Sequence, residues 1–475
     1  MQNRFTHRAR RMAGVSASAL ALAFAAACDN PQTTLLEQQQ PQIILPEFTT
    51  SQAAALALYN GALSRFRTTL NGGNNNQETI WNFAGLMTDE FKSGDTFSQR
   101  NDADQRVTQS SDGVMAATYN PLQQARGRAR DAINSLKEFA PTETAKIAEM
   151  YFEMGFMEMT LGQDFCNGIP LGETVGGIPQ YTDPLTNAQV FTTAIARFDS
   201  ALTILGADAT ANGVAVRNAI NIAKARAQVD NGLFAAAATT VAAVPTTYSY
   251  NITYSIPTQS NEWWQMSTST KRFAVGDTTD AAGVVKNSLP FETLADPRVK
   301  VNCYIGTTVT PCTVANRTTR TKAFDNATPY SEFANYARED AIALVNGTDA
   351  RLIEAEAKLQ LNDFPGMMTI LNALRTAPPK IGNYQPVAMA ALAVPATRVD
   401  AENLFFREKA LWQFGRGERL GDLRRLVRQY LRTQDNVFPS GAFHKNGNYG
   451  TNVAFPVPDV ELANPNFHGC LDTKA

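Results

Sequence analysis

The chain has 475 residues, 44% hydrophobic and 18% charged, a balance that suits a globular protein with a sizeable core. Its 42 basic and 44 acidic residues give a net charge of −2, and the body is more acidic still, because Arg4, Arg8, Arg10 and Arg11 lie in an N-terminal signal. No basic field exists to recruit nucleic acid or anionic lipid, and beyond the signal only His444 and His468 are available for histidine catalysis or metal binding.

The four arginines precede an apolar, alanine-rich run from Met12 to Ala27 that stops at Ala26-Ala27-Cys28. A basic end, a short greasy centre and small residues before a cut make residues 1–27 a secretory signal peptide. The run is too short to be a permanent anchor. A cysteine directly after two alanines reads as a bacterial lipobox with Cys28 as the lipidated mature N-terminus, although Ala25 stands where leucine is usual. Residues 28–49, rich in Gln and Pro, read as a flexible tether. No later stretch approaches the 18 or so apolar residues of a spanning helix. The expectation is a water-soluble body, residues 50–475, tied to a membrane through lipid; a plainly secreted protein is the alternative.

Along the body, Leu56, Tyr59, Leu63 and Phe66 recur at helical spacing and predict a helix over 50–70, closed by a Gly/Asn loop at 71–76. A shorter helix follows at 78–91, then a polar excursion over 92–113. Helices are expected at 115–139, 142–162 (with Thr142 as N-cap), 187–205, 214–231 and 234–243. From 245 to 337 Thr, Ser, Tyr, Asn and Pro rise, and residues 248–256 alternate like a strand. Helices return at 338–361, 364–376, 401–414 and 419–431, and 432–475 reads as a structured loop. Two stretches repeat: AKARAQVDNGLF (223–234) and IEAEAKLQLNDF (353–364). Ala225 and Ala227 match Ala355 and Ala357, and a phenylalanine follows at the same offset. Small residues, a polar turn and a second helix are the layout of a tetratricopeptide-type pair.

After Cys28 four cysteines remain. Cys303 and Cys312 flank a β-branched stretch with a glycine that can fold back as a hairpin, so a bridge between them is expected, which leaves Cys166 for Cys470. A zinc site is the rival, but spacings of 137, 9 and 158 residues fit no ligand pattern.

Four stretches resemble the SusD/RagB-like outer-membrane nutrient-binding lipoproteins: DEFKSGDTF (89–97) with YNPLQQARGRARDAINSL (119–136), ARLIEAEAKLQLNDF and LNALR within 350–375, EKALWQFGRGERLGDLRR (408–425), and PVPDVELANPN (456–466). Trp412 and Arg416 stand where that family usually has glutamates. The resemblance implies a mostly α fold: a tetratricopeptide-like helical-pair scaffold (50–244 and 338–431) with an irregular loop-rich region (245–337) containing short β-hairpins. It also implies a cell-surface lipoprotein of the outer membrane. Such a protein binds an oligosaccharide or other small nutrient and passes it to a TonB-dependent, SusC-like barrel.

No nucleophile elbow, phosphate loop, zinc pattern or calcium loop appears, so no enzyme activity, cofactor or metal is expected. Arg419, Asp422 and Arg425 fall on one helix face, where Asp422 can pair with both arginines in a packing cluster. Asp89 and Glu90 read as packing or a solvated face rather than an acid/base pair. Trp412, in an apolar helix, reads as core. Ligand candidates are Trp263 and Trp264 in the loop-rich region, Trp81 beside the Gly/Asn loop, and Phe97 and Arg100, since rings on loops suit sugar faces and polar neighbours suit hydroxyls. The competing readings are an exported helical-repeat scaffold for protein or peptide partners, and a lipoprotein hydrolase.

Overall fold

The computed structural model describes residues 49–72, 78–175, 178–280 and 283–475. The residues expected to form the signal peptide, the lipidation site Cys28 and all but the last residue of the tether, 1–48, lie outside these. Thr50–Ala475 forms one compact unit. No helix among the described residues is long and apolar enough to cross a membrane.

The helices are α1 (Gln52–Asn71), α2 (Ile80–Leu86), α3 (Ser98–Gln105), α4 (Gly113–Phe139), α5 (Thr144–Asp164), α6 (Asn187–Leu205), α7 (Ala211–Asp230), α8 (Phe234–Val241), α9 (Gly347–Gln360), α10 (Phe364–Thr376), α11 (Arg398–Trp412) and α12 (Arg419–Arg428). The repeat is real in space. α7 and α8 form one antiparallel pair, α9 and α10 another, and α8 packs on α9. Ala225, Ala227, Ala355 and Ala357 are buried where the helices approach, and Phe234 and Phe364 close the next gap against the main core. The fold is therefore the mostly helical, tetratricopeptide-like scaffold expected.

Local chemistry sets the helix starts. Ser51 caps α1 by accepting from the Ala54 amide. Thr186 with Gln189 and Asn346 with Asp349 form reciprocal capping boxes on α6 and α9. The second box explains one difference from the sequence reading. Residues 338–361 are not one helix, because Ile342–Asn346 is a buried strand paired antiparallel with Ser249–Ile252, and Asn346 ends it by starting α9. Thr142 caps nothing; α5 begins at Thr144 without a side-chain cap. The polar excursion contains α3 and follows a strand, Phe91–Ser93, paired with Phe273–Val275.

The loop-rich region carries small sheets rather than one layer. Val301–Ile305 lies between Thr308–Thr310 and Ser331–Phe333, all antiparallel. Cys303 and Cys312 are bonded across that hairpin, and Cys166–Cys470 joins the end of α5 to the C-terminal segment.

The 408–425 motif is a buried ionic web. Arg419 pairs with Asp89 (2.8 Å), not with Asp422; Asp422 instead takes Lys409 (2.6 Å) and Arg425 (2.8 Å). Arg425 also reaches Glu356 of α9, and Arg416 forms a two-pronged pair with Asp349 (2.8 and 2.7 Å). Sequence spacing foresaw an intrahelical pair with Arg419 because the long-range partner, 330 residues away, carries no local signal. Gly417, at φ 71°, closes the turn before α12, and a Cβ there would lie 2.3 Å from the Trp81 ring.

Candidate functional site

Four segments from distant parts of the chain meet around Asp95: residues 94–101, 271–273, 323–328 and 444–445. The backbone knits them together. Gly94 donates to the Arg272 carbonyl (2.7 Å), Asp325 donates to the Gly94 carbonyl (2.8 Å), and Phe324 donates to the Lys271 carbonyl (3.0 Å). Only glycine fits at 94, since a Cβ would fall 2.3 Å from that of Ala323.

Asp95 is wholly buried and organises the cluster. One carboxylate oxygen accepts from Arg272 Nη1 (2.6 Å) and from the Thr96 amide (2.7 Å); the other accepts from Arg100 Nη1 (2.6 Å). Burial alone would push its pKa up, but the hydrogen bonds from Arg272 and Arg100 outweigh it and hold the carboxyl below its ordinary value. Asp325 plays the same part next door. It accepts from the amides of Ala327 and Thr328 (both 2.9 Å) and pairs with Lys445 (2.9 Å). Burial works against it, yet these partners take its pKa to about 2. Lys445 also donates to the Asp95 carbonyl. His444 bonds Asp104 (2.8 Å), which accepts from the Ser93 amide (2.6 Å).

Two aromatic rings stand out of this rigid base. Phe97 is 41% exposed and Phe324 45%. The Arg100 guanidinium lies 5.2 Å from the Phe97 ring centre and the Arg272 guanidinium 3.9 Å from that of Phe324. Phe97, Arg100, Asp95, Arg272 and Phe324 thus form one continuous chain of contacts. Each ring is backed by a cation whose position is fixed by the same carboxylate. An aromatic face held in place and open to solvent can receive the C–H face of a sugar or another flat apolar group.

Of the residues singled out from sequence, Phe97 alone both belongs to this cluster and is exposed. Arg100 belongs to it but is 4% exposed and paired with Asp95 and Glu78, so it positions Phe97 instead of reaching outward. Trp263 is a correction: its ring is wholly buried, stacked on Phe91 with centres 4.3 Å apart, and its Nε1 donates to the Gly415 carbonyl (2.5 Å). Trp81 is a second correction, 3% exposed against the Gly417 turn. Both are scaffold, as is Trp412. Trp264 is half-buried with Arg338 5.4 Å from its ring, a contact outside the Asp95 group.

The sequence reading missed Asp95, Arg272, Phe324, Asp325 and Lys445. One signal was available. FDNAT (324–328) is an Asp-initiated turn of the kind that presents the residue before it. No cluster of His, Cys, Asp and Glu that could hold a metal ion occurs among the described residues.

Against known proteins, no family model matches the chain and no curated protein does. Solved structures do match. A SusD-like protein from Bacteroides fragilis superposes with a TM-score of 0.62 at 11% identity, covering 91% of this chain and 100% of its own. A SusD homologue from Bacteroides thetaiotaomicron gives 0.60 at 14% identity, covering 91% and 99%. A SusD-like carbohydrate binding protein from Bacteroides vulgatus gives 0.56 at 14% identity, covering 88% and 97%. The likeness runs over nearly the whole of each chain, so the protein has the SusD-like fold.

Proposed function

We propose that this protein is a non-enzymatic glycan receptor. In this reading it captures an oligosaccharide on the Phe97–Phe324 platform and hands it to a TonB-dependent outer-membrane barrel, while lipid on Cys28 holds it at the outer membrane. The observation that carries the reading is the pair of exposed rings, each fixed by a guanidinium on one buried carboxylate. Preorganisation of this kind is what a stacking surface needs, because ordering loops on binding would consume affinity. The SusD-like fold supports the assignment of class, and function tends to concentrate on loops that a rigid scaffold holds.

The test is a glycan panel screened against the wild type, followed by titration of Phe97→Ala and Phe324→Ala with the glycan that binds. Each loss of a stacking ring should weaken binding by about 1 kcal/mol, roughly five- to ten-fold, with the fold intact. Unchanged affinity in both variants rejects the platform. Delivery is tested separately, by whether a TonB-dependent barrel co-purifies with the tagged protein from detergent-extracted outer membranes.

A further inference from the structure

The charges of the Phe97–Phe324 platform are unequally used. Its carboxylates are bonded: Asp95 to Arg100 and Arg272, Asp325 to Lys445, Glu78 to Arg100, Asp104 to His444, and Glu332 to Asn302 and the Tyr304 hydroxyl. Asp102 of α3 lies by Asp112, whose charge acts on it. Three cations at Phe324 keep capacity to spare. Lys271 and Lys322 form no ion pair among the described residues, and Arg272 spends Nη1 on Asp95 but leaves Nη2 without a protein partner there. We infer that, given the receptor reading above, the glycan taken by this platform is acidic: an oligosaccharide whose carboxylate or sulfate groups are met by Lys271, Lys322 and Arg272.

A solvated lysine without a partner is common and would mean little by itself. What distinguishes Lys271 is how the backbone delivers it. Residues Trp264–Ser269 are wound as a π-helix, a rare conformation found mostly at functional sites. The Thr270 amide closes it on the Gln265 carbonyl (3.0 Å), and the Arg272 amide returns to the Met266 carbonyl (2.8 Å). Between them Lys271 stands at φ 55°, a left-handed conformation that a lysine adopts at a cost and that recurs at ligand clamps. Two backbone irregularities thus end on one exposed cation. Its carbonyl holds the Phe324 amide (3.0 Å), which ties it to the ring. Its Nζ lies 5.4 Å from the centre of the Tyr330 ring, and Tyr330 is fixed in turn by donating to the Ser267 carbonyl (2.7 Å).

The other two cations approach Phe324 from its own strand and from its face. Ala323 is turned towards Gly94, so its neighbours Lys322 and Phe324 are turned the other way. The Arg272 guanidinium lies 3.9 Å from the centre of the Phe324 ring, and its side chain keeps 22% of its surface open. A sugar stacked by its C–H face on that ring carries its substituents at the edge, where these cations stand. A guanidinium edge gives charge-assisted hydrogen bonds to a carboxylate or sulfate, and a lysine adds a point charge. The whole chain is slightly acidic, with a net charge of −2, so no general attraction for anions would produce the same preference.

The experiment is calorimetry on the mature protein made soluble by Cys28→Ala. Oligogalacturonate is titrated beside its full methyl ester, and a sulfated carrageenan oligosaccharide beside its desulfated form, at about 0.01 M and about 1 M salt, where the screening length is ~30 Å and ~3 Å. At least one acidic member should bind about ten-fold tighter than its neutral counterpart at low salt, and the gap should close at high salt. Which pair shows the gap tells carboxylate from sulfate. Lys271→Gln should weaken the acidic member about three-fold and Lys271→Glu more, with the neutral member unaffected. Lys322→Gln should act in the same sense and serves if the left-handed position at 271 tolerates no change. Lys358→Gln, an exposed change of equal charge elsewhere, should alter nothing. A neutral glycan bound at Phe97 and Phe324 with no acidic member bound, or an acidic preference that survives Lys271→Glu and Lys322→Gln, overturns the inference and leaves the receptor reading standing. Failure of every glycan to bind, neutral or acidic, removes both.

Discussion

Truncating Trp263 separates scaffold from surface most sharply. The ring is wholly buried, stacked on Phe91 at 4.3 Å and edge-on to Phe333 at 6.2 Å. Alanine removes these contacts and leaves a cavity that the surrounding rings only partly refill, a loss of about 3–5 kcal/mol. The Gly415 carbonyl also loses its donor, at a further ~1–3 kcal/mol if it stays dry. Gly415 holds φ 72° in the turn between α11 and α12 and donates to Glu90 (3.1 Å), so that turn should loosen as well. Trp263→Phe keeps most of the volume and should lose chiefly the hydrogen bond, about 1–3 kcal/mol. Trp264→Ala, half-buried and next in sequence, should cost about 1 kcal/mol or less. Urea unfolding followed by circular dichroism gives the order directly. The reasoning is refuted if Trp263→Ala unfolds within about 1 kcal/mol of the wild type, or if Trp264→Ala is the less stable of the two.

Other consequences are as concrete. Glu153 is buried without a hydrogen-bond partner among the described residues, and burial, then the charge of Glu149, holds its pKa well above the ordinary value. Unfolding returns it to the ordinary value near 4.3, so its contribution to stability falls as pH rises from there towards the native pKa; Glu153→Gln should flatten that fall and stabilise the protein at neutral pH, as melts at pH 5 and pH 8 would tell. Breaking Cys303–Cys312, whose partners are 9 apart in sequence, should cost about 2–3 kcal/mol. Breaking Cys166–Cys470, 304 apart, should cost up to about 5 kcal/mol by the same chain-entropy argument, and single Cys→Ala melts should rank in that order. Cys28→Ala should move the protein from the membrane to the soluble fraction of its host; equal membrane retention would reject the lipobox reading.

What was legible in the sequence was what local chemistry writes. Helical spacing marked α1 and α4, and paired alanines before a polar turn marked the two stacked helical pairs, because close helix approach demands small residues at those positions. Strand Ile342–Asn346 was hidden because a short apolar run of five residues reads equally as the start of a helix. The asparagine and aspartate of the α9 capping box were the signal that separates the two. Trp263 misled because polar neighbours suggested a surface loop. Those neighbours are buried too: Asn261 and Glu262 are wholly enclosed, and the Asn261 side chain accepts from the Trp263 amide (3.0 Å). The loop cluster was illegible because its parts lie up to 350 residues apart in sequence and are brought together by backbone and side-chain bonds that carry no local signal. Phe97 was singled out from the sequence as a candidate; Phe324, its counterpart in the cluster, is brought beside it by the fold.

The central claim is that ligand is received where residues 94–101, 271–273, 323–328 and 444–445 converge. Hydrogen–deuterium exchange with and without the glycan found by the panel tests it most directly. Protection should appear in peptides covering Phe97, Arg272 and Phe324 together, and should vanish in Phe97→Ala/Phe324→Ala. Protection confined to the helical pairs α7–α8 and α9–α10, with these loops unchanged, would contradict the account and point to the repeat surface instead.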